Sequence, residues 1–191
     1  MKTALLQYRW YVIAALLITA QAAILFSFGQ PSICTCDYVK VWEGVVKSPG
    51  NSQHISDWYT FSHIPHGIIF YWILWLLFPR SSIGLRLALA LGLEISWEIL
   101  ENTPWVIDRY REQALAQGYS GDSILNSVMD SVAMMAGFLM ARRLPILFVL
   151  IAFLVMEIGV LYMIRDNLTL NIINLLYPFE SIHQWQSAGS L

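Results

Sequence analysis

Apolar residues gather into five runs, at 10–29, 60–79, 85–103, 121–141 and 144–164, separated by segments rich in Pro, Gly, Asn and charged residues. Each run approaches the roughly 20 residues that an α-helix needs to cross bilayer hydrocarbon. Lipid offers no water to unpaired backbone groups, so spanning runs of this kind fold as helices. The pattern predicts an all-α polytopic membrane bundle of about five transmembrane helices. It reads as a single integral membrane domain over 1–191, with a non-cytoplasmic loop, 30–59, after the first span. In that loop Pro31, Gly44, Pro49, Gly50 and Asn51 mark turns around Tyr38–Trp42, which reads as a short strand. Short interfacial helices are expected over 108–117, with Trp105 and Tyr110 at headgroup level, and over 168–176 in the tail. Arg165, Asp166 and Asn167 are expected to cap the fifth span, and His183 and Trp185 to anchor at the interface.

Composition supports the membrane reading, since 57% of residues are hydrophobic and 13% charged, against about 25% charged in a typical soluble domain. A net charge of −2 with no long basic block argues against nucleic-acid partners and against a polybasic membrane-surface patch. Lys and Arg near span ends favour the cytoplasmic side. Lys2 and Arg9 precede the first span, Arg80 and Arg86 flank the turn into the third, and Arg142 and Arg143 close the fourth. Five alternating spans place all three groups on one side, so the N-terminus is expected in the cytoplasm and the C-terminus outside. The basic start and the Ala20-Gln21-Ala22 signature also resemble a secretory signal peptide. The apolar run continues to Phe28, which suits an uncleaved anchor better.

Ionisable groups inside spans carry the chemical information, because a charge at the bilayer centre costs about 2.5–3.5 kcal/mol even on a lenient scale. Glu94, Glu98 and Glu101 recur at i, i+4 and i+7 on one face of the third helix. Asp122, Asn126 and Asp130 recur at i, i+4 and i+8 in the fourth run, and Ala133 and Gly137 continue that face with small residues suited to close helix packing. The second span opens with Ser62-His63-Ile64-Pro65-His66-Gly67, its two imidazoles nearly one turn apart. A rise of about 1.5 Å per residue brings His66, Glu98 and Asn126 to a common depth in the outer half of the membrane. Two aligned acidic faces exceed what packing needs, whereas Glu157, alone in the fifth span, reads equally well as a packing determinant. Leu85, Leu89 and Ile99 are expected on the lipid side of the third helix.

Arg109 and Arg111 lie between the acidic helices, where they could neutralise the carboxylates or hold a phosphate. Cys34 and Cys36, the only cysteines, fall on the non-cytoplasmic side. Their Cys-x-Cys spacing leaves a local disulfide, a free thiol pair and a redox or metal role open.

The string Gln53-His54-Ile55-Ser56-Asp57-Trp58-Tyr59, with Ser62-His63-x-x-His66-Gly67, Glu94-x-x-Trp97-Glu98-x-x-Glu101-Asn102, Arg109-Tyr110-Arg111 and Tyr119-x-Gly121-Asp122-Ser123-x-x-Asn126-Ser127-x-x-Asp130, resembles a bacterial inner-membrane family of unknown function. The resemblance covers nearly the whole chain and implies a multi-pass inner-membrane location, with no established activity or cofactor. More distantly, the stretch from Glu94 to Gly137 is similar to VanZ-like membrane proteins.

The functional expectation is an outward-facing polar cavity that binds, and could modify, a lipid or lipid-linked headgroup. Glu94, Glu101, Asn102, Arg109, Arg111, Asn126 and Asp130 would bind it, with Glu98 or Asp122 as general base and His63 or His66 relaying the proton. A metal held by His63, His66 and a carboxylate is a variant of the same site. The rival reading is a non-enzymatic assembly or scaffold protein whose buried polar network is structural. Neither reading specifies a cofactor or a protein partner.

Overall fold

The computed structural model describes residues 2–189, with side chains from Arg9 onward. Its elements are α1 (Lys2–Ser27), α2 (Thr60–Leu77), α3 (Ile83–Glu101), α4 (Pro104–Arg111), α5 (Ile124–Arg143), α6 (Ile146–Ile164), α7 (Leu168–Leu176) and α8 (Glu180–Ser187). The described residues contain no strand, and the protein is an all-helical bundle. Among the described residues, four segments are long and apolar enough to cross a membrane: Arg9–Ser27, Thr60–Leu77, Ile124–Arg143 and Ile146–Ile164. The remaining long helix, α3, has 19 residues and so is about 28 Å long. Arg86, Glu94, Glu98 and Glu101 keep it out of the apolar group, yet it packs against α1, α2 and α5 as a full member of the bundle.

Local chemistry sets the helix ends. Ser82 accepts a hydrogen bond from the Leu85 N–H at the start of α3, and Ser123 does the same for the Asn126 N–H at the start of α5. The second cap moves the start of α5 to Ile124, leaving Asp122 in the preceding loop and not in a span. The interfacial helix expected over 108–117 is α4, which starts earlier because Pro104 suits the first helical position and stops at Arg111. The tail helix falls at Leu168–Leu176, opened by Asn167, whose side chain accepts from the Leu170 N–H.

Tyr38–Trp42 is not a strand. A single parallel bridge joins Glu43 to Asp57, supported by Ile55 N–H to Lys40 C=O at 3.1 Å and Glu43 N–H to Ser56 C=O at 2.9 Å. Together with the Lys40 N–H to His54 Nδ1 and the Trp58 indole N–H to the Gly44 carbonyl, these bonds pin the loop to its own return segment without extending into a ladder. Cys34 and Cys36 form a disulfide within the same loop.

One core cluster joins Leu74 of α2, Ala90, Leu91 and Ile95 of α3, and Met134 and Phe138 of α5, with Ala14, Leu17 and Ile18 of α1 packed on it. A second joins Ile68, Ala141 and Val149, binding α6 to α2 and α5. The outer faces stay apolar: Leu16 on α1, Leu76 on α2 and Leu147, Leu154, Val155 and Ile158 on α6 are exposed, as a lipid-facing surface requires. Leu85 and Leu89 share that exposure, but Ile99 packs against the core and Leu93 and Leu100 take the outward positions instead.

α2 and α5 approach each other backbone to backbone. A Cβ at Gly67 would overlap the Met134 carbonyl oxygen, and one at Gly137 would overlap the Ile64 carbonyl oxygen. The two backbones therefore touch at paired glycines, the small-residue packing used between membrane helices.

Gly67→Ala and Gly137→Ala should each sharply reduce the yield of monodisperse, folded protein on size-exclusion chromatography, because overpacking a tight contact costs about 1–3 kcal/mol. Gly92→Ala, where an added Cβ meets nothing within 4 Å, should leave the yield unchanged. Equal tolerance at all three positions would refute the close contact.

Candidate functional site

The glycine contact sets the first turns of α2 beside the polar faces of α3 and α5. His63 Nδ1 lies 2.6 Å from Glu94 Oε1, and His66 Nδ1 lies 3.0 Å from Glu94 Oε2, so one carboxylate holds both imidazoles. The rings are 5.2 Å apart and nearly perpendicular. His63 Nδ1 is also 3.3 Å from Glu98 Oε1, and on the other edge of the ring Nε2 stands 3.8 Å from Asp130 Oδ2.

Hydroxyls and amides hold the carboxylates in place. The Ser127 hydroxyl donates to Glu98 Oε2 at 2.6 Å and accepts from Gln21 Nε2 at 2.8 Å, while the Ser131 hydroxyl donates to Gln21 Oε1 at 3.0 Å. Gln21 thereby joins α1 to α5. Thr60 donates to Asp130 Oδ1 at 3.0 Å and accepts from the Asp57 N–H. Asp57 in turn accepts the Ser52 and Tyr59 N–H groups at 2.9 and 2.8 Å, organising the chain just before α2. Glu98 Oε1 is buried without a hydrogen-bond partner.

Asp122 closes the next layer. It accepts from Asn102 Nδ2 at 2.8 Å and from the Tyr119 hydroxyl at 2.9 Å, and its own N–H donates to Asn102 Oδ1 at 2.7 Å. This reciprocal pair fastens the end of α3 to the entry of α5. Burial outweighs the two side-chain hydrogen bonds and pushes the Asp122 carboxyl up to about 6. Asp57 is displaced upward by the same cause, against the backbone N–H groups that stabilise its charge.

A cavity of about 370 Å³ opens beside these groups, with His63, Glu101, Asp122 and Asp130 on its wall. Tyr59, Tyr110, Gln53, Asn171, the 113–122 segment and part of the 46–52 segment, including Lys47 and Asn51, complete the lining. Asn51 Oδ1 and Gln113 Nε2, both on residues of this wall, are buried without hydrogen-bond partners.

His63, His66, Glu94, Glu98 and Asp130 are thus brought into mutual reach, with Glu101 and Asp122 bordering the cavity. Asn126 serves elsewhere, donating to the His54 carbonyl at 2.9 Å to hold the 30–59 loop. Arg109 and Arg111 do not join the cluster. Arg109 bonds the Leu175 carbonyl and Glu112, and Arg111 bonds the Tyr119 carbonyl and Asp108. The inward face of α4 is Val106, Ile107 and Tyr110, and at about 100° per residue a helix that buries Tyr110 turns both neighbours aside. Among the described residues no Lys or Arg is ion-paired to the cluster's carboxylates.

Sequence reasoning missed Gln21, Thr60, Ser127 and Ser131. Gln21 carried a usable signal, a lone amide in an apolar span, that the signal-peptide signature obscured. Glu157 proves to be a cap, accepting from the Leu168 and Thr169 N–H groups and the Thr169 hydroxyl at the start of α7.

Residues 25–188 match the family described as "Protein of unknown function (DUF2585)". The chain is 50% identical over 180 residues to a UPF0314 protein of Agrobacterium fabrum, covering 94% of this chain and 91% of that one. It is 50% identical over 179 residues to a UPF0314 protein of Sphingopyxis alaskensis, at 94% and 95% coverage. A UPF0314 protein of Brucella anthropi is 48% identical over 176 residues, at 92% and 89% coverage. No solved structure matches, and these matches carry no VanZ-like likeness.

A carboxyl raised from 3.8 to about 6 binds its proton more tightly in the folded state than in the unfolded chain. Its contribution is therefore full below pH about 4 and is lost as pH rises through about 6. Hydrogen exchange in the 113–123 loop, corrected for intrinsic rates, should quicken between pH 4 and 6. Asp122→Asn should flatten that dependence, and a slope unchanged by the substitution would contradict the assignment.

Proposed function

The chain belongs to the DUF2585 family of unknown function, and from that premise we propose that it is a multi-pass inner-membrane protein whose outward-facing cavity receives the polar headgroup of a lipid or lipid-linked molecule. The observation that carries this reading is the cavity with His63, Glu101, Asp122 and Asp130 on its wall, at the loop-covered end of α2, α3 and α5. A polar recess at the end of a bundle with lipid-facing sides meets the headgroup layer directly. In this reading the N-terminus is cytoplasmic and the 30–59 and 112–123 loops lie outside.

The lining favours a neutral headgroup rich in hydroxyl or amide groups. Three carboxyl groups, Glu101, Asp122 and Asp130, against the single cation Lys47 disfavour an anion, while tyrosine hydroxyls and the free amide atoms of Asn51 and Gln113 offer donors and acceptors. Proton transfer is the chemistry best supported. Glu94 fixes the orientation of the His63 ring at Nδ1, and Nε2 faces Asp130 and the cavity side. A second reading, a non-enzymatic scaffold, is favoured by the network joining Gln21, Ser127, Ser131 and Glu98, whose hydrogen bonds tie α1, α3 and α5 together.

Ala116 lines the cavity, so Ala116→Trp should fill it without removing a polar group. Protein purified from nanodiscs made with bacterial inner-membrane lipid extract should retain lipid detectable by native mass spectrometry, and the variant should lose it. Equal retention would defeat the headgroup reading. Asp130→Asn should abolish cellular function at unchanged protein abundance, whereas retained function would favour the scaffold. Impermeant thiol reagents should reach Cys34 or Cys36 in reduced, intact spheroplasts, and labelling only after lysis would invert the orientation.

A further inference from the structure

We propose that His63, Glu98 and Glu101 form a binding site for one divalent transition-metal ion, Zn²⁺ or Mn²⁺, at the inner wall of the cavity; the assignment rests on the reading of that cavity as the functional site. One ligand atom from each of the three residues lies within 4.8 Å of the other two. Donors on opposite sides of an ion, each about 2.1 Å away, are about 4.2 Å apart, so modest side-chain rotation closes the set.

A second observation points to a ligand here. Glu98 Oε1 is fully buried and has no hydrogen-bond partner, although the other oxygen of the same carboxylate is held by Ser127. The nearest group able to carry positive charge is the His63 ring, 3.3 Å away at Nδ1, and that edge is already engaged by Glu94 at 2.6 Å, so an ionised Glu98 has only a part of the compensation that buried charges require. A cation between it, His63 and Glu101 supplies that compensation, which neither Arg109 nor Arg111 provides.

The neighbouring set of His63, His66 and Glu94 is a weaker host, because Glu94 is already engaged by both rings. Its contacts suit an orienting role. A metal-binding histidine commonly has its other ring nitrogen bonded to a carboxylate, which fixes the ring, and Glu94 holds His63 at Nδ1. Nε2 is 3.8 Å from Asp130 on the cavity wall, so binding through Nε2 requires the Glu98 carboxylate to turn from its place beside Nδ1. One imidazole with two carboxylates suits Zn²⁺ or Mn²⁺ over the softer ions that thiolates select. Three protein donors beside a cavity also leave a position open to water or to a headgroup oxygen.

The test uses full-length protein in detergent, stripped with chelator and titrated calorimetrically with ZnCl₂ and, separately, MnCl₂. One ion should bind per chain at micromolar affinity. Glu98→Gln and Glu101→Gln should each weaken binding at least tenfold, while Glu157→Gln, at the α7 cap, should bind as the parent does. Glu101 is only partly buried, so its variant keeps the test decisive if Glu98→Gln fails to fold. Absence of stoichiometric binding in the stripped parent, or unchanged affinity in Glu101→Gln, overturns the site. Lipid retention measured on the stripped protein separates the two claims. Retained lipid without metal binding removes the ion alone, whereas metal binding with lipid equally retained by Ala116→Trp removes the headgroup reading alone.

Discussion

The arrangement of this protein depends on two glycines that let α2 and α5 meet backbone to backbone. With Gly67 against Met134 and Gly137 against Ile64, the helices sit closer than any side chain would allow. The turn carrying His63 therefore lies beside the turn carrying Asp130. Pro65 occupies the same stretch of α2, adding a residue that donates no backbone hydrogen bond between the two histidines. The separation of His63 from Glu94, Glu98 and Asp130 follows from this packing. A larger residue at either glycine would separate the imidazoles from the carboxylates as well as loosen the core.

Charge is the second constraint, and it divides the buried acids into two groups. Glu157 has its charge answered locally by the first N–H groups of α7. Asp166 accepts from the Tyr59 hydroxyl and the Asn167 N–H, and burial still raises its carboxyl to about 7. These contacts account for the presence of both acids without any ligand. Around His63 the hydrogen bonds come from Ser127, Thr60, Asn102 and Tyr119, none of which carries positive charge. Only the two imidazoles can carry it, and both lean on Glu94.

The sequence made the bundle legible because membrane helices advertise themselves through uninterrupted apolar length, and the carboxylate faces were readable because i, i+4 spacing maps directly onto one helix face. Loop conformation was less so. The segment 38–42 has strand-like composition, but a strand needs a partner ladder, and only the single bridge to Asp57 formed. The arginines were misplaced for a related reason. Proximity along the chain put Arg109 and Arg111 between the acidic helices, whereas the register of α4 is set by burying Tyr110. Ser123, Ser127 and Ser131 recur at i, i+4 and i+8 and are all buried, a trace as periodic as that of the carboxylates, whereas Thr60, a lone hydroxyl at the first position of α2, left none.

The buried polar groups differ in how far their hydrogen bonds are satisfied. Gln21 has both ends of its amide engaged, and the Ser127 hydroxyl carries the chain on to Glu98. Such closure is what a structural polar core requires, because a half-satisfied buried network is less stable than an apolar one. Among the described residues, satisfaction fails at Glu98 Oε1, Asn51 Oδ1, Gln113 Nε2, His54 Nε2 and two nitrogens of Arg86, and of these residues Asn51 and Gln113 border the same recess as His63. The unsatisfied atoms are thus spread over the molecule, and the two that a molecule entering the recess would reach are those of Asn51 and Gln113.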